Sequence, residues 1–329
     1  MSHIGCRRVA CVSCVLALSA WEAAPLHAQA WVPDRGDGSL ALTYQHYDVR
    51  GHFDVHGGEN TNGGTESDAV LTEFDYGLGG QFALTVSLPF IASKYTGPPS
   101  YSVGGYLTYP GPLDDGSYHG AVQDLRIEAR RLWWAGPVAF APFLGVSFPT
   151  HDYETVGEAV PGRHRRDLQF GASVGVGLDR FAPGSYFQVR YAYGTMEHVD
   201  DFPFTRSNID VEGGVPAGRV LIRGLIASQI RHEGPSLDQL AADWVHHDRF
   251  IAPSYLNLGG GASLSLTDSA EIYALWVDTV EGSNGAHRAR VLTIGVMFEL
   301  RSHLQGLGGA SPHAPAKNRR SDAFRERSQ

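Results

Sequence analysis

The sequence has few cysteines, few methionines and no apolar run long enough for a transmembrane helix. Its three cysteines, Cys6, Cys11 and Cys14, all lie near the amino end, so the rest of the chain cannot form a disulfide. A secreted fold that depends on disulfides is therefore excluded. After residue 30 no stretch approaches the roughly eighteen consecutive apolar residues that a membrane-spanning helix needs. If the chain crosses a membrane, it must do so with strands.

The first thirty residues have the pattern of a secretory signal peptide. Arg7 and Arg8 precede an apolar run over residues 9–21, and the residues AQA at 28–30 provide a small-x-small cleavage site. The apolar run is too short to span a bilayer. We therefore predict export, with cleavage near Ala30 and no lipid anchor, because no cysteine adjoins the cleavage site.

Acidic residues outnumber basic ones. The chain has 35 Asp and Glu against 26 Lys and Arg, which gives a formal net charge of −9. Nucleic-acid-binding proteins carry basic patches that neutralise phosphates, so an acidic exported chain is a poor candidate for that role. We predict no nucleic-acid partner.

Segments that alternate apolar and polar side chains repeat through the chain after residue 37. Such alternation is typical of strands with one apolar and one polar face. We predict twelve strands, at about residues 38–50, 69–78, 81–91, 121–133, 137–148, 167–179, 185–197, 208–215, 218–230, 254–266, 269–281 and 288–300.

The connections between these segments are alternately short and long. The short ones are residues 79–80, 134–136, 180–184, 216–217 and 267–268, and the longer ones are residues 51–68, 92–120, 149–166, 198–207, 231–253 and 282–287. Short periplasmic turns that alternate with longer outer loops are typical of bacterial outer-membrane barrels. We predict an all-β fold, a transmembrane antiparallel up-and-down β-barrel over residues 31–300. Residues 1–30 are the expected signal peptide, and residues 301–329, rich in basic residues, Gly and Pro, the expected disordered periplasmic tail.

Charged residues occupy alternate positions in several predicted strands. Four charges on one strand face would disrupt an apolar sandwich core, but they suit the polar interior of a barrel whose outside contacts lipid. We call the predicted lumen-lining residues the charged ladder: Glu73, Asp75, Asp124, Arg126, Glu128, Arg130, Arg190, Glu212 and Arg223. The long loop over residues 92–120 is rich in tyrosine, and we predict that it contributes gating residues or first contacts with a solute: Tyr95, Tyr101, Tyr106, Tyr109 and Tyr118.

Three other patterns have a chemical and a simpler interpretation. Residues 171–175 (GASVG) match the hydrolase pattern G-x-S-x-G, but they lie inside a predicted strand rather than at a strand-to-helix turn. Loop histidines and carboxylates, namely His52, Asp54, His56, His232, Glu233, His246, His247 and Asp248, are of the types that bind zinc, yet no spacing among them is diagnostic. The run RHRR at 163–166 could bind lipopolysaccharide phosphates or keep a loop tip soluble. We favour the simpler interpretation in each case, and predict no catalytic site, cofactor or metal.

Several short motifs resemble one family of barrels. WVPDRG at 31–36, LPF at 88–90, Gln123-Asp124-Leu125 at a strand start and FPT at 148–150 are similar to the outer-membrane proteins associated with the meta-cleavage pathway of phenol degradation. The resemblance covers residues 31–300. It implies a barrel of about twelve strands that transports hydrophobic or aromatic growth substrates.

The function predicted from these patterns is passive diffusion of small solutes, including hydrophobic or aromatic ones, through a charged lumen in the bacterial outer membrane. Expected partners are outer-membrane lipids, lipopolysaccharide, the solute and the barrel-assembly machinery. Two alternatives remain open: a structural or adhesive barrel with a blocked lumen, and an outer-membrane lipid hydrolase. Conductance separates the first alternative from a channel, and an esterase assay separates the second.

Overall fold

The computed structural model describes residues 30–61, 63–97, 102–103, 106–107, 112–134, 136, 138–240 and 246–301. Residues 1–29 of the predicted signal peptide and residues 302–329 of the predicted tail lie outside these residues. No helix within the described ranges is both long and apolar enough to cross a membrane.

Antiparallel strands pair in chain order, and the last pairs with the first to close a barrel. The elements are β1 Gly38–Phe53, β2 Glu59–Asn60, β3 Gly64–Gly79, β4 Phe82–Thr96, β5 Ser102–Val103, β6 Tyr106–Leu107, β7 His119–Val122, β8 Leu125–Arg131, β9 Val138–Phe148, β10 Asp167–Gly177, β11 Tyr186–Val199, β12 Phe202–Ala217, β13 Val220–Glu233, α1 His247–Phe250, β14 Ser254–Ser265, β15 Ala270–Ser283 and β16 His287–Leu300. β7 and β8 follow one another along β4, so the described residues form twelve barrel strands, which confirms the predicted fold.

A bulge separates β7 from β8. Phe90 of β4 pairs with Val122, whereas Ser87 pairs with Arg126, so the β7–β8 side has one residue more than β4 between these pairs. Such an extra residue bends a strand and redirects its side chains. The bulge places Asp124 outside the regular alternation that the sequence predicted for residues 122–132.

The strands extend further toward the long connections than the alternation predicted. The predicted loop over residues 198–207 is wrong. β11 and β12 continue through most of residues 198–207 and are joined by a two-residue turn at Asp200 and Asp201, both with positive φ (52° and 62°). Aspartate tolerates this left-handed conformation better than most residues. Residues 198–207 were predicted as a longer connection, but Pro203 is compatible with the beginning of a strand, where a missing N–H costs little.

The two faces of the barrel wall differ in polarity. Large apolar side chains are exposed at alternate positions on the outside, and aromatic ones among them include Phe74, Tyr76, Phe82, Phe187, Tyr191, Trp276 and Phe298. The buried positions between them are largely polar or small, for example Thr43, Gln45, Gln169, Ser173, Asn208, Gln229 and Thr293. An apolar exterior around a polar interior is the arrangement that a strand-built membrane protein requires.

Candidate functional site

The charged ladder lies mainly on the inner face of the barrel wall. Eight of its nine residues occupy the buried phase of their strands: Glu73 and Asp75 in β3, Arg126, Glu128 and Arg130 in β8, Arg190 in β11, Glu212 in β12 and Arg223 in β13. Strand alternation brings them inside because the residues between them are apolar and face outward. The lumen therefore carries both signs of charge.

Ion pairs connect ladder residues on strands that are not neighbours. Arg130 makes two contacts to the Asp75 carboxylate, at 2.8 and 2.7 Å, across the intervening β4. Arg190 binds both oxygens of Glu128 at 3.1 and 2.8 Å, although two strands separate β11 from β8. Arg126 also donates to Glu128, at 3.0 Å. Paired charges of this kind narrow the lumen because long side chains extend from one part of the wall to another.

Glu212 and Arg223 continue the ladder on the other side of the barrel. Glu212 accepts hydrogen bonds from Gln188, at 3.0 Å, and from the Tyr186 hydroxyl. Arg223 donates to Glu271 of β15 at 2.8 Å. Glu271 was missed although it lies in the predicted strand over residues 269–281, because the next inward residues, Tyr273 and Leu275, are not charged.

A further buried ion pair was missed for a related reason. Arg206 contacts both oxygens of Asp167, at 3.0 and 2.7 Å, and both side chains are almost fully buried. Arg206 falls in the predicted loop over residues 198–207, whereas the structure places it in β12 on the inner face. Arg206 shares the inner face with Phe204 and Asn208, so apolar and polar side chains mix on this face and the alternation was not recognised.

Asp124 lies between the regular strands β7 and β8, and three of the five loop tyrosines fall within the described residues. Asp124 lies at the bulge, and its carboxylate accepts a hydrogen bond from Tyr153 at 2.6 Å. Tyr95 lies near the end of β4, buried against apolar residues of two connections, rather than in a loop. Tyr118 is exposed just before β7. Tyr106 belongs to the short strand β6, and Tyr101 and Tyr109 lie outside the described residues.

The segment before β1, residues 30–37, lies inside the short-turn end of the barrel. Ala30, the last residue of the predicted signal peptide, is fully buried and packs against Leu132 and Ala139. Trp31 and Val32 pack against the same cluster, and the Trp31 ring meets the Tyr186 ring edge-on at 6.3 Å. Gly175 faces this segment, and a methyl group there would lie only 2.5 Å from the Trp31 ring. The amino-terminal segment therefore occupies part of the lumen.

Two connections, residues 149–166 and the segment that contains α1, fold inward at the end of the barrel opposite the short turns, which we call the outer end. Arg163 and Arg165, predicted at an exposed loop tip, are 3% and 0% exposed, so both interpretations of the 163–166 run are wrong for these two residues. Arg163 donates to the Ile251 carbonyl, and Arg165 donates to the Glu197 carbonyl at 2.8 Å. Burial, together with repulsion from Arg165, lowers the pKa of Arg163 to about 9. The arginines join residues 149–166 to residues 246–253 and to the barrel rim.

The hydrolase-like motif lies wholly within β10. Ser173 points into the barrel and is 2% exposed, and no helix follows the strand. Both glycines have a packing explanation: Gly175 leaves room for Trp31, and a methyl group at Gly171 would lie 1.9 Å from the Tyr191 carbonyl oxygen. The motif therefore reflects close packing of the backbone rather than a nucleophile elbow.

The barrel resembles solved outer-membrane proteins. An outer-membrane channel from Pseudomonas putida F1 superposes with a TM-score of 0.62 at 11% identity, over 83% of this chain and 98% of that one. The KdgM porin gives a TM-score of 0.42 at 7% identity, over 78% and 98% of the two chains. The monoaromatic hydrocarbon channel TodX, as its deltaS2S3 mutant, gives 0.41 at 9%, over 83% and 92%. Searches of protein-family models and of curated proteins gave no match. The first of these similarities shows a shared barrel fold.

Proposed function

We propose that the protein is an outer-membrane channel through which small solutes diffuse passively. The observation that carries the proposal is the contrast between the faces of the barrel wall: the exterior is apolar, and the interior carries charged residues of both signs. Buried charges are costly in an apolar core, whereas in a hydrated lumen they bias which solutes pass. The exposed apolar belt is the proposed contact with outer-membrane lipids.

The proposed passage is narrow. The Arg130–Asp75 and Arg190–Glu128 pairs extend between strands, and chain segments enter the lumen from both ends. A barrel of this size has a bore between that of small filled barrels and that of open porins. Small solutes fit such a path better than folded or polymeric ones.

We also propose that the solutes are hydrophobic or aromatic. The family resemblance implies hydrophobic or aromatic solutes, and aromatic side chains occur at both ends of the lumen. Trp31 and Tyr186 meet at the short-turn end, and Tyr95 is buried at the outer end. Aromatic faces offer weak stacking contacts to an aromatic solute, so it can be bound and released during passage.

Single-channel conductance of the refolded protein in planar bilayers tests this function. Arg126 is the ladder arginine to change first, because its side chain is 20% exposed, against 3% for its partner Glu128. Loss of a positive charge from the lumen should shift the selectivity of Arg126→Gln toward cations. Arg290→Gln is the matched control, since Arg290 is 43% exposed and pairs with exposed Asp278.

Discrete conductance steps with a selectivity shift only in Arg126→Gln are the expected result. A correctly folded barrel that conducts no ions would contradict the channel and support the structural alternative. An esterase assay on the same preparation addresses the lipid-hydrolase alternative, because lipid hydrolysis by a folded barrel that conducts no ions would replace the channel interpretation with an enzymatic one.

A further inference from the structure

Side chains from four parts of the chain meet at the outer end of the barrel. Glu158 comes from the inward-folded connection over residues 149–166, and His247 and Asp248 come from α1. His287 begins β16, and its register partner on β1 is His52. We call these five residues the histidine–carboxylate cluster. The sequence analysis included three of them among scattered loop residues but missed Glu158 and His287, which are distant in sequence.

The spacing of the cluster fits ligands around a shared ion. The His247 Nε2 atom lies 3.5 Å from Glu158 Oε2 and 3.3 Å from Asp248 Oδ1, and the His287 Nε2 atom lies 3.7 Å from the same Asp248 oxygen. Direct N–H···O hydrogen bonds are shorter, at about 2.7–3.2 Å. Tetrahedral ligands that each lie about 2.05 Å from zinc are separated by about 3.3 Å. The observed separations are close to that edge length.

The cluster is buried beside a small cavity. The side chains of Glu158 and His247 are each 6% exposed, and that of Asp248 is 8% exposed. The adjacent cavity of about 40 Å³ is lined by Glu158, Asp248, His287, Ser67 and Ser93, among others. This is room for an ion or a water molecule. Arg163 lines the same cavity, and it balances only one of the two buried carboxylates, so one negative charge is left for an ion to balance.

Contacts around the cluster hold its carboxylates in place. Asp114 accepts hydrogen bonds from the backbone N–H groups of Glu158, at 2.8 Å, and of Ala159, at 3.1 Å. The Thr65 hydroxyl of β3 donates to the Glu158 carbonyl at 3.3 Å. Supporting hydrogen bonds of this kind orient the ligands of metal sites.

The donor types select the class of ion. Calcium and magnesium prefer sites made only of oxygen ligands, whereas imidazole with carboxylate suits zinc and its neighbours in the first transition series. We propose that Glu158, His247 and Asp248 bind a divalent transition-metal ion, with Zn²⁺ the best match, and that His287 supplies the fourth ligand. The ion would join both inward-folded connections to the strands that close the barrel. The proposal is independent of which solute passes through the lumen.

Metal binding can be measured on the full barrel refolded without an affinity tag. After equilibration with Zn²⁺ and removal of free ion, elemental analysis should find one zinc per chain. Co²⁺ should give the intense visible absorption of a tetrahedral site. The isosteric variants Glu158→Gln and Asp248→Asn should lower zinc affinity by at least about 10- to 100-fold, the range seen when even supporting contacts of a metal site are removed.

His56→Ala is the matched control because His56 is an exposed loop histidine outside the cluster. Its zinc content should equal that of the unchanged protein. A folded protein that retains no zinc at micromolar free ion would overturn the proposal and leave an ion-pair cluster only. Unchanged zinc binding by folded Glu158→Gln and Asp248→Asn would overturn it as well, since the ion would then lie elsewhere. Circular dichroism and heat-dependent gel mobility establish the folding of each variant.

Discussion

At the short-turn end of the barrel, a single segment around Trp31 and Val32 occupies part of the lumen through apolar and aromatic contacts. At the outer end, two long connections fill it through buried arginines, carboxylates and histidines. Apolar contacts have little directional preference, so a segment held by them can be displaced as a unit. A buried charge network depends on every partner, since the loss of one leaves another uncompensated. The two ends should therefore respond to different perturbations.

Removal of residues 31–36 should cause the largest change in conductance. This deletion leaves the strands intact, because β1 begins at Gly38, but it removes the segment that contacts Leu132 and Ala139. Single-channel conductance should rise several-fold. The milder variant Trp31→Ala should give an intermediate rise, and unchanged conductance in both would show that this segment does not limit ion flow.

Zinc should change the closing of single channels through the outer end of the barrel and not through the short-turn end. This prediction depends on both the proposed channel and the proposed metal site. Zn²⁺ should lengthen the closed periods of single channels, and a chelator should reverse the effect, because the ion fixes both connections across the mouth. The variant without residues 31–36 should keep this response, whereas Glu158→Gln should lose it. A zinc response retained by Glu158→Gln but lost with the amino-terminal segment would reverse the assignment of the two ends.

Buried and exposed ion pairs should differ in their contribution to stability. Asp167→Asn leaves Arg206 buried without its carboxylate partner, and we expect a loss of about 3 kcal/mol in the free energy of unfolding. Asp278→Asn is the control because Asp278 and Arg290 are about 40% exposed, and an exposed pair contributes less than about 1 kcal/mol. Urea unfolding in lipid vesicles measures both. Equal losses would mean that the Asp167–Arg206 pair is as well hydrated as a surface pair.

The smallest expected effect concerns Gly175. A methyl group at this position would meet the Trp31 ring at 2.5 Å, so Gly175→Ala should shift the amino-terminal segment. Conductance should increase less than in the deletion variant. Ser173→Ala is the control on the same face of β10, and it should behave like the unchanged protein. If Gly175→Ala has no effect on conductance once residues 31–36 are deleted, its effect acts through that segment.

The barrel was predictable from the sequence because its signal is local. Alternating polarity in each segment and alternating lengths of connection gave the strands, their order and the inner face for most of the charged ladder. The bulge beside Asp124 was not predictable in this way, because one inserted residue changes the alternation without changing composition. The strand at Arg206 was lost because Asp200, Asp201 and Pro203 are residue types that occur in loops as readily as in strand ends.

The histidine–carboxylate cluster could not be predicted from the sequence for a different reason. Connections have no repeating pattern, so nothing in the composition of residues 149–166 indicates that Arg163 and Arg165 turn inward. Glu158 and His247 become neighbours only when two separate connections fold into the same lumen. Prediction of that contact requires knowledge of the barrel and of how both loops pack in it.

The pairing of β1 with β16 also has a consequence for the order of events during folding. Contacts between the two ends of a chain form slowly, because a long loop must close before they are gained. His52 and His287 meet only across this seam, so the histidine–carboxylate cluster cannot assemble while the barrel is still an open sheet. Glu158 is held against β3 and His287 belongs to β16, so capture of a metal ion by both would follow barrel closure, and its rate during refolding would report the last step of membrane assembly.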